Sequence, residues 1–360
     1  MTVLDRLLDR SGARTDEVLG RRGRVALVLV FCGLAVAGPV IDVIATFWLH
    51  VLTRVMIFAL FAISLDLVFG YTGLPSFGHA AMFGVGGYTV AFVTLGPTQN
   101  LLVTIATAAL ASATVALLIG WLSVRGTGLF FAFLTLAFAQ VLYLVAFNDL
   151  PAQLLGADKI TGGDNGLVGI PGYELFGVEF GGLFEYYYLT LVVVGICVAL
   201  LIRIANSEFG RVLQGIRENE DRLTALGYDV TRYKVIAFTV SGTFTGVAGA
   251  LYAPLVRIAH PSQLFWLTSA DGIIMILVGG IGTLWGPMVG AAFITVFEEF
   301  ATVVGNWHLY LGVLFVTMVI FLPGGIAGAI STVARSPREA LSNARRAGRR
   351  YVRRVRGDRH

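Results

Sequence analysis

The chain is poor in charge and in cysteine. Only 13% of its 360 residues are charged, about half the share found in ordinary globular domains. So few charges do not cover a folded body of this size in water, and a hydrophobic content of 56% excludes a disordered chain. The two cysteines, Cys32 and Cys197, lie inside apolar runs and exclude a disulfide-stapled secreted domain. With a mean hydropathy of +0.80, the sequence predicts an integral membrane protein with several spans.

The motifs of an enzyme or a self-powered pump are also missing. The chain has two lysines, Lys159 and Lys234, and neither stands in the Gly-x4-Gly-Lys-Ser/Thr loop that binds nucleotide phosphates. It contains no Cys/His cluster, no His-Glu-x2-His motif and no Gly-x-Ser-x-Gly elbow. We therefore predict no catalytic residue, no metal site and no cofactor in this chain.

The basic residues are concentrated in three places. Of 26 Lys and Arg, six lie in 1–24, six in 203–234 and ten in 331–360, whereas 148–185 holds six acids and one lysine. Basic tails also occur in nucleic-acid-binding proteins. On a membrane protein, however, such clusters indicate the cytoplasmic side and contact with anionic lipid headgroups, so we predict no nucleic-acid partner.

Apolar runs of about 20 residues, the length needed to cross a bilayer, predict an all-α protein with about ten transmembrane helices. The spans are expected at 24–41, 48–69, 76–95, 101–124, 127–147, 186–205, 233–255, 268–283, 286–302 and 307–323. An even count puts both termini and the loop 206–232 in the cytoplasm and 148–185 outside, in agreement with the charge clusters. The stretch 268–302 is short for two crossings, so a re-entrant piece is the alternative there.

This topology divides the chain into three parts. Residues 1–23 form a cytoplasmic leader, 24–330 the transmembrane domain and 331–360 a cytoplasmic Arg-rich tail. The turn residues in 148–185 predict an extracytoplasmic loop with turns and a short hairpin.

Two glycine-rich stretches interrupt the apolar helices. Residues 70–88 hold six glycines and a proline, and 279–292 have a similar composition. A broken helix is tolerated in a membrane only where its backbone faces protein or a water-filled cavity, so such breaks indicate a substrate path, with close helix packing as the alternative. The candidate path residues are Asp66, Ser76, Phe77, Gly78, His79 and Tyr88.

The ionisable groups in or near the spans are few. They are Asp66, His79, Asp271, Glu298 and Glu299. Such groups often mark a conduction route, but those near span ends also reach headgroups or water. For His79 we expect hydrogen bonding or packing rather than proton transfer, because no acid lies within one helical turn of it in sequence.

The loop 206–232 has the pattern of a short surface helix. Apolar residues recur at helical spacing, a charged run opposes them, and Gly227 is a plausible helix end. We expect this helix to dock a cytoplasmic partner by its apolar side; the alternative is a helix that lies in the lipid headgroups.

Three segments resemble the permease subunits of branched-chain amino acid ABC importers, and the chain looks most like the longer of the paired permeases. They are 64–88, 209–220 with 225–227, and 278–291. The resemblance implies a permease fold with broken or re-entrant helices and a coupling loop at 206–232 that contacts an ATPase. By position, the coupling residues would be Gly210, Arg211, Ile216, Arg217, Glu218, Asn219, Glu220 and Gly227. The loop departs from the general Glu-Ala-Ala…Gly signature of ABC importers.

The resemblance also implies partners and a location. We expect a second permease, two cytoplasmic ATPases that bind ATP and Mg, an extracytoplasmic substrate-binding protein and membrane lipids, in a prokaryotic plasma membrane. Importers of urea and short amides use similar permeases, so they remain alternative functions. An ion-coupled secondary carrier and a membrane scaffold without transport are the rivals from other classes.

Overall fold

The computed structural model describes residues 29–36, 38, 46–126, 128–304, 309, 312–313 and 324–328. Within them the chain is mostly helical. Residues 29–36 are helical, and the named helices are α1 Thr46–Thr72, α2 His79–Thr94, α3 Leu101–Ser123, α4 Leu129–Phe147, α5 Leu150–Leu155, α6 Leu183–Ala205, α7 Glu208–Glu218, α8 Glu220–Ala225, α9 Val230–Val256, α10 Trp266–Gly279 and α11 Trp285–Val304.

In the described part of the chain, five helices are long and apolar enough to cross a membrane: α1, α3, α4, α6 and α9. The 16-residue α2 and the 14-residue α10 are shorter, about 24 and 21 Å at 1.5 Å per residue. Helices occupy the second to ninth expected spans. The first is described only in part, and the tenth lies outside the described residues apart from 309 and 312–313. The chain is thus a helical membrane protein, while the count of ten spans stays a prediction, as do the leader 1–23 and the tail 331–360, which also lie outside the described residues.

The centre of the fold is α1, which is buried along most of its length. It packs against α6, α9 and α11, and α9 also packs against α2 and α3. The α2–α9 contact is close because glycines replace side chains there. A Cβ on Gly86 would overlap the Gly246 carbonyl, and a Cβ on Gly249 would overlap the Phe83 carbonyl. Small residues that allow such backbone approach are a usual means of helix association in membranes.

The segment 148–185 contains the expected hairpin. Strand β2 (Tyr173–Leu175) pairs antiparallel with β3 (Val178–Phe180). Phe176 and Gly177 between them both have positive φ, as the two central residues of a type I′ turn require. A second short pair joins β1 (Leu167–Val168) to β4 (Ile258–Ala259) and thus fastens this segment to the end of α9.

Candidate translocation and coupling site

The chain between α1 and α2 is not helical, so the break expected in 70–88 is present at residues 73–78. Some of its backbone donors bond locally, as Gly73 does to the Phe69 carbonyl and Gly78 to the Ser76 hydroxyl, and two donors at or next to the break bond to other helices. The Phe77 N–H donates to the Thr135 hydroxyl of α4 (3.2 Å), and the Ala80 N–H at the start of α2 donates to the Ser269 hydroxyl of α10 (2.6 Å). Side chains from two neighbouring helices thus hold the break in place.

His79 lies at the centre of a buried polar network. One ring nitrogen is 2.9 Å from the Ser76 hydroxyl and the other is 2.7 Å from the Ser241 hydroxyl. Ser241 in turn donates to the Ser64 carbonyl. All four side chains are fully buried. His79 therefore ties α1, α2 and α9 together through hydrogen bonds.

The candidate path residues fall into separate groups. Ser76, Phe77, Gly78 and His79 lie together at the break, and of these only Phe77 is partly exposed. Tyr88 is buried nine residues further along α2, and Asp66 is buried beside residues 280–284.

The first helix of the coupling loop, α7, packs on its own chain. Leu213 and Ile216 on its apolar side are buried in the core of the protein. Gly210 lies so close to the Ala205 carbonyl at the end of α6 that a Cβ would overlap it. The expectation that the apolar side of this helix is free to dock a partner is therefore wrong for Ile216. Packing Leu213 and Ile216 into the core removes their apolar surface from water, and this burial stabilises the folded chain.

Most of the remainder of the loop is exposed. Asn219 caps α8 by accepting a hydrogen bond from the Arg222 N–H (2.9 Å), and Glu220 pairs with the buried Lys234 of α9 (2.6 Å). Beyond α8, Leu226 is 67% exposed and Tyr228 41% exposed. We call the exposed stretch 218–229 the loop tip. Its apolar surface, rather than that of α7, is available to a partner.

Glu218, Asn219, Glu220 and Gly227 therefore belong to the loop tip. Gly227 has a positive φ of 88° and follows the last turn of α8, as the sequence predicts for a helix end. Arg211 forms an exposed ion pair with Glu208 on α7, which lies apart from the tip.

Arg217 connects the coupling loop to the membrane core. Its guanidinium donates a hydrogen bond to the Gly70 carbonyl near the end of α1. One helical turn earlier on α1, the Asp66 carboxylate accepts a hydrogen bond from the Gly282 N–H (2.9 Å). We call Asp66, Gly70, Arg217 and Gly282 the junction. It joins α1, α7 and the non-helical residues 280–284 in one place.

The junction depends on glycine and on buried charge. A Cβ on Gly282 would lie 2.9 Å from the Arg217 guanidinium, and a Cβ on Gly70 would lie 2.7 Å from the Gly282 nitrogen. Burial lowers the pKa of Arg217, and the nearby carboxylates of Asp66 and Glu218 act in the opposite direction. Because a buried charge is costly unless it is compensated, the electrostatic attraction of Asp66 and Glu218 offsets part of the cost of burying Arg217.

Several residues of the site are not evident from the sequence. They are Ser64, Thr135, Lys234, Ser241 and Ser269. The serines and Thr135 lie at least 58 residues along the chain from their partners, and such residues are common in membrane helices, so only the fold identifies them. Lys234 alone gives a signal, as one of two lysines in the chain.

Comparison with known proteins gives one family. The model of the branched-chain amino acid transport system permease component matches residues 47–322. The chain is 28% identical to the high-affinity branched-chain amino acid transport permease LivM of Salmonella typhimurium, over 76% of this chain and 68% of that protein. It is 27% identical to LivM of Escherichia coli, over 81% and 72%. A ribose import permease of Bacillus subtilis is 24% identical over 48% of this chain and 53% of its own. No solved structure matches the chain significantly.

Proposed function

The chain belongs to the family of branched-chain amino acid transport system permease components, and we propose that it forms half of the translocation path in an ATP-driven importer. It is a multi-pass membrane permease of a branched-chain amino acid ABC importer, and it is a transport component rather than an enzyme. The proposal adds how the chain takes up energy and which of its parts carry that task.

The junction is the observation that carries this proposal. Arg217 is at the end of α7 and donates to α1, the most buried long helix, while Asp66 on α1 holds the residues that separate α10 from α11. A displacement of the coupling loop would therefore move α1 and the 280–284 break together. Packed helix interfaces switch between discrete arrangements and do not deform continuously, so a shift of one element is passed on to the elements packed against it.

Energy enters through partner chains. We propose that two cytoplasmic ATPases bind ATP and Mg and that one of them receives the loop tip, with Leu226 and Tyr228 as apolar contacts. A second permease completes the path, and an extracytoplasmic binding protein delivers the substrate. The basic clusters at 1–24, 203–234 and 331–360 support cytoplasmic termini and a cytoplasmic coupling loop, next to anionic lipids.

The path itself would run past the break at 73–78. Phe77, a partly exposed residue of the break, offers apolar contact to a branched aliphatic side chain, while Ser76, Gly78 and His79 keep the backbone in place. Alternating access would open the path between the two permeases first outward and then inward. Import of urea or a short amide by the same architecture is the alternative outcome for the substrate.

The experiment examines the ATPase contact. The affinity-tagged chain, purified alone, is expected to hydrolyse no ATP. Co-expressed with its ATPases, it should retain them, and Tyr228→Asp should lower the retained amount at least tenfold at unchanged membrane abundance. Phe176→Asp is the matched control, because Phe176 is also an exposed aromatic residue (89%) but lies on the β2–β3 hairpin and not on the loop tip. ATP hydrolysis by the chain alone, or full retention by Tyr228→Asp, would contradict the proposal.

A further inference from the structure

A second group of ionisable residues lies away from the junction. Arg54 on α1 pairs with Glu298 and Glu299 on α11, each at 3.2 Å. Asp271 on α10 is close enough to Arg54 and Glu298 to interact with both electrostatically. We call these four residues the Arg54 cluster. Arg54 is twelve residues before Asp66 on the same helix, about 18 Å along its axis, so the cluster lies toward the other end of α1 from the coupling loop, within the predicted spans.

The cluster has an excess of negative charge. It has three carboxyl groups and one guanidinium, and the pairs with Glu298 and Glu299 already use Arg54. Asp271 accepts no hydrogen bond from any residue that the structure describes. Ionisable groups at membrane depth are costly unless they are paired or face a cavity that carries a substrate. Asp271 is therefore a partly buried carboxyl group with no hydrogen-bond donor among the described residues.

Two buried donors, one on α1 and one on the α11 face that carries Glu298 and Glu299, lack acceptors. The Nε–H of Arg54 is buried and has no partner among the described residues, and the same is true of the Thr295 hydroxyl. Thr295 is fully buried and precedes Glu298 and Glu299 by three and four residues on α11, the spacing that puts helical side chains on one face. Because arginine always keeps its protons, its Nε–H remains a donor. Unsatisfied buried polar groups are uncommon in native proteins, and a ligand-binding role is one of the explanations for them.

Two aromatic rings lie next to the Arg54 side chain or to each other. The Arg54 guanidinium lies over the Phe58 ring, 5.7 Å from its centre, and the Phe58 and Tyr252 rings are 5.6 Å apart. The side chains of Arg54 and Glu299 are 25% and 28% exposed, so the cluster is open on one side. Among the described residues, no three His, Cys, Asp or Glu side chains converge to hold a metal ion. An organic ligand fits this arrangement better than a metal.

We propose that the Arg54 cluster, with Thr295, Phe58 and Tyr252, binds the zwitterionic head of an α-amino acid during its passage through the membrane. The ammonium group of the ligand donates to Asp271, and its carboxylate accepts from the Arg54 Nε–H and the Thr295 hydroxyl. Its aliphatic side chain contacts the two aromatic rings. This inference rests on the proposed import of branched-chain amino acids and adds a binding site within this chain.

The variant Thr295→Val distinguishes two roles for the Arg54 cluster, that of a ligand-binding site and that of a purely structural contact. Valine has the shape of threonine without the hydroxyl, so removing a buried hydroxyl that has no partner is expected to leave stability unchanged or to raise it. A purely structural cluster therefore predicts no loss with this variant. The binding site predicts at least tenfold weaker binding of L-leucine, and the same for Asp271→Asn, with partial recovery in Asp271→Glu.

The measurement is saturation-transfer NMR of L-leucine with the purified complex, without the binding protein. It is paired with uptake of labelled L-leucine and ATP hydrolysis in proteoliposomes that contain the binding protein. We expect weaker L-leucine binding and at least tenfold slower uptake for Thr295→Val and Asp271→Asn, at an unchanged amount of assembled complex. 4-Methylpentanoate and 3-methylbutylamine, which each lack one charged group, should compete poorly. Glu179→Gln on the exposed hairpin is the control for loss of a carboxylate.

The outcomes separate this site from the proposed function. If the wild-type complex imports no L-leucine, the proposed function fails and the site fails with it. If the wild type imports L-leucine and Thr295→Val binds and imports it normally, the site alone is wrong. If Asp271→Asn does not accumulate in the membrane, Thr295→Val decides the question, because its shape is preserved.

Discussion

Arg217→Gln should uncouple ATP hydrolysis from amino acid import. The substitution removes the charged donor that bonds the Gly70 carbonyl and leaves the Asp66 carboxylate without its neighbouring cation. A hydrogen bond to a charged group contributes about 1.5–3 kcal/mol. At about 1.4 kcal/mol per factor of ten, the linked arrangement of α7 and α1 should become roughly ten- to a hundredfold less populated.

The assay is the number of L-leucine molecules imported per ATP hydrolysed, measured in proteoliposomes that contain the complete complex. We expect this ratio to fall at least tenfold for Arg217→Gln, while ATP hydrolysis continues and the amount of assembled complex is unchanged. Arg217→Lys keeps the charge but not the planar fork, so its ratio should be intermediate. Arg203→Gln is the matched control, because Arg203 is an exposed arginine in the last turn of α6.

The reasoning is refuted if Arg217→Gln imports L-leucine at the wild-type ratio. In that case the hydrogen bond to Gly70 would be a static contact, and the coupling loop would act on the membrane core through another part of its surface.

Three further predictions concern topology, packing and the path. Single cysteines at the exposed positions of Asp164 and Asn219, in a background without the native cysteines, should react with impermeant reagents from opposite sides of the membrane; labelling of both from outside would contradict the topology. Gly249→Val should lower the melting temperature of the complex in detergent, because its side chain would overlap the Phe83 carbonyl and overpacking costs about 1–3 kcal/mol. Gly33→Val, at a helical glycine with no atom within 4 Å of its Cβ position, should not, and equal melting temperatures would refute this packing. Gly78→Val, whose Cβ meets Thr135 at 3.0 Å, should lower uptake without lowering ATPase retention, and normal uptake would remove the break from the path.

The sequence predicts the helices well because their signal is local. Apolar runs of span length indicate α1, α3, α4, α6 and α9, and glycine-rich stretches indicate both breaks. The turn residues of 148–185 predict the hairpin, which the structure confirms. In each case the information lies within about twenty neighbouring residues, so no tertiary contact is needed to interpret it.

The arrangement of the site is not local, and there the sequence is a weaker guide. The amphipathic pattern of 206–226 does not say whether the apolar side faces a partner or its own chain, and in the structure Leu213 and Ile216 are buried within the chain. Likewise, Asp66 stands beside the path residues in sequence but contacts Gly282, which is 216 residues away. Interactions over such separations depend on how the helices pack, which no local pattern reports.

Uptake of labelled L-leucine into proteoliposomes tests the central claim most directly. With this chain, its second permease, both ATPases and the binding protein present, uptake is expected to require ATP on the ATPase side and to persist when ionophores collapse the proton and sodium gradients. Omitting this chain alone should abolish it. Uptake by this chain without partners, driven by a proton or sodium gradient and indifferent to ATP, would contradict the claim and identify a secondary carrier.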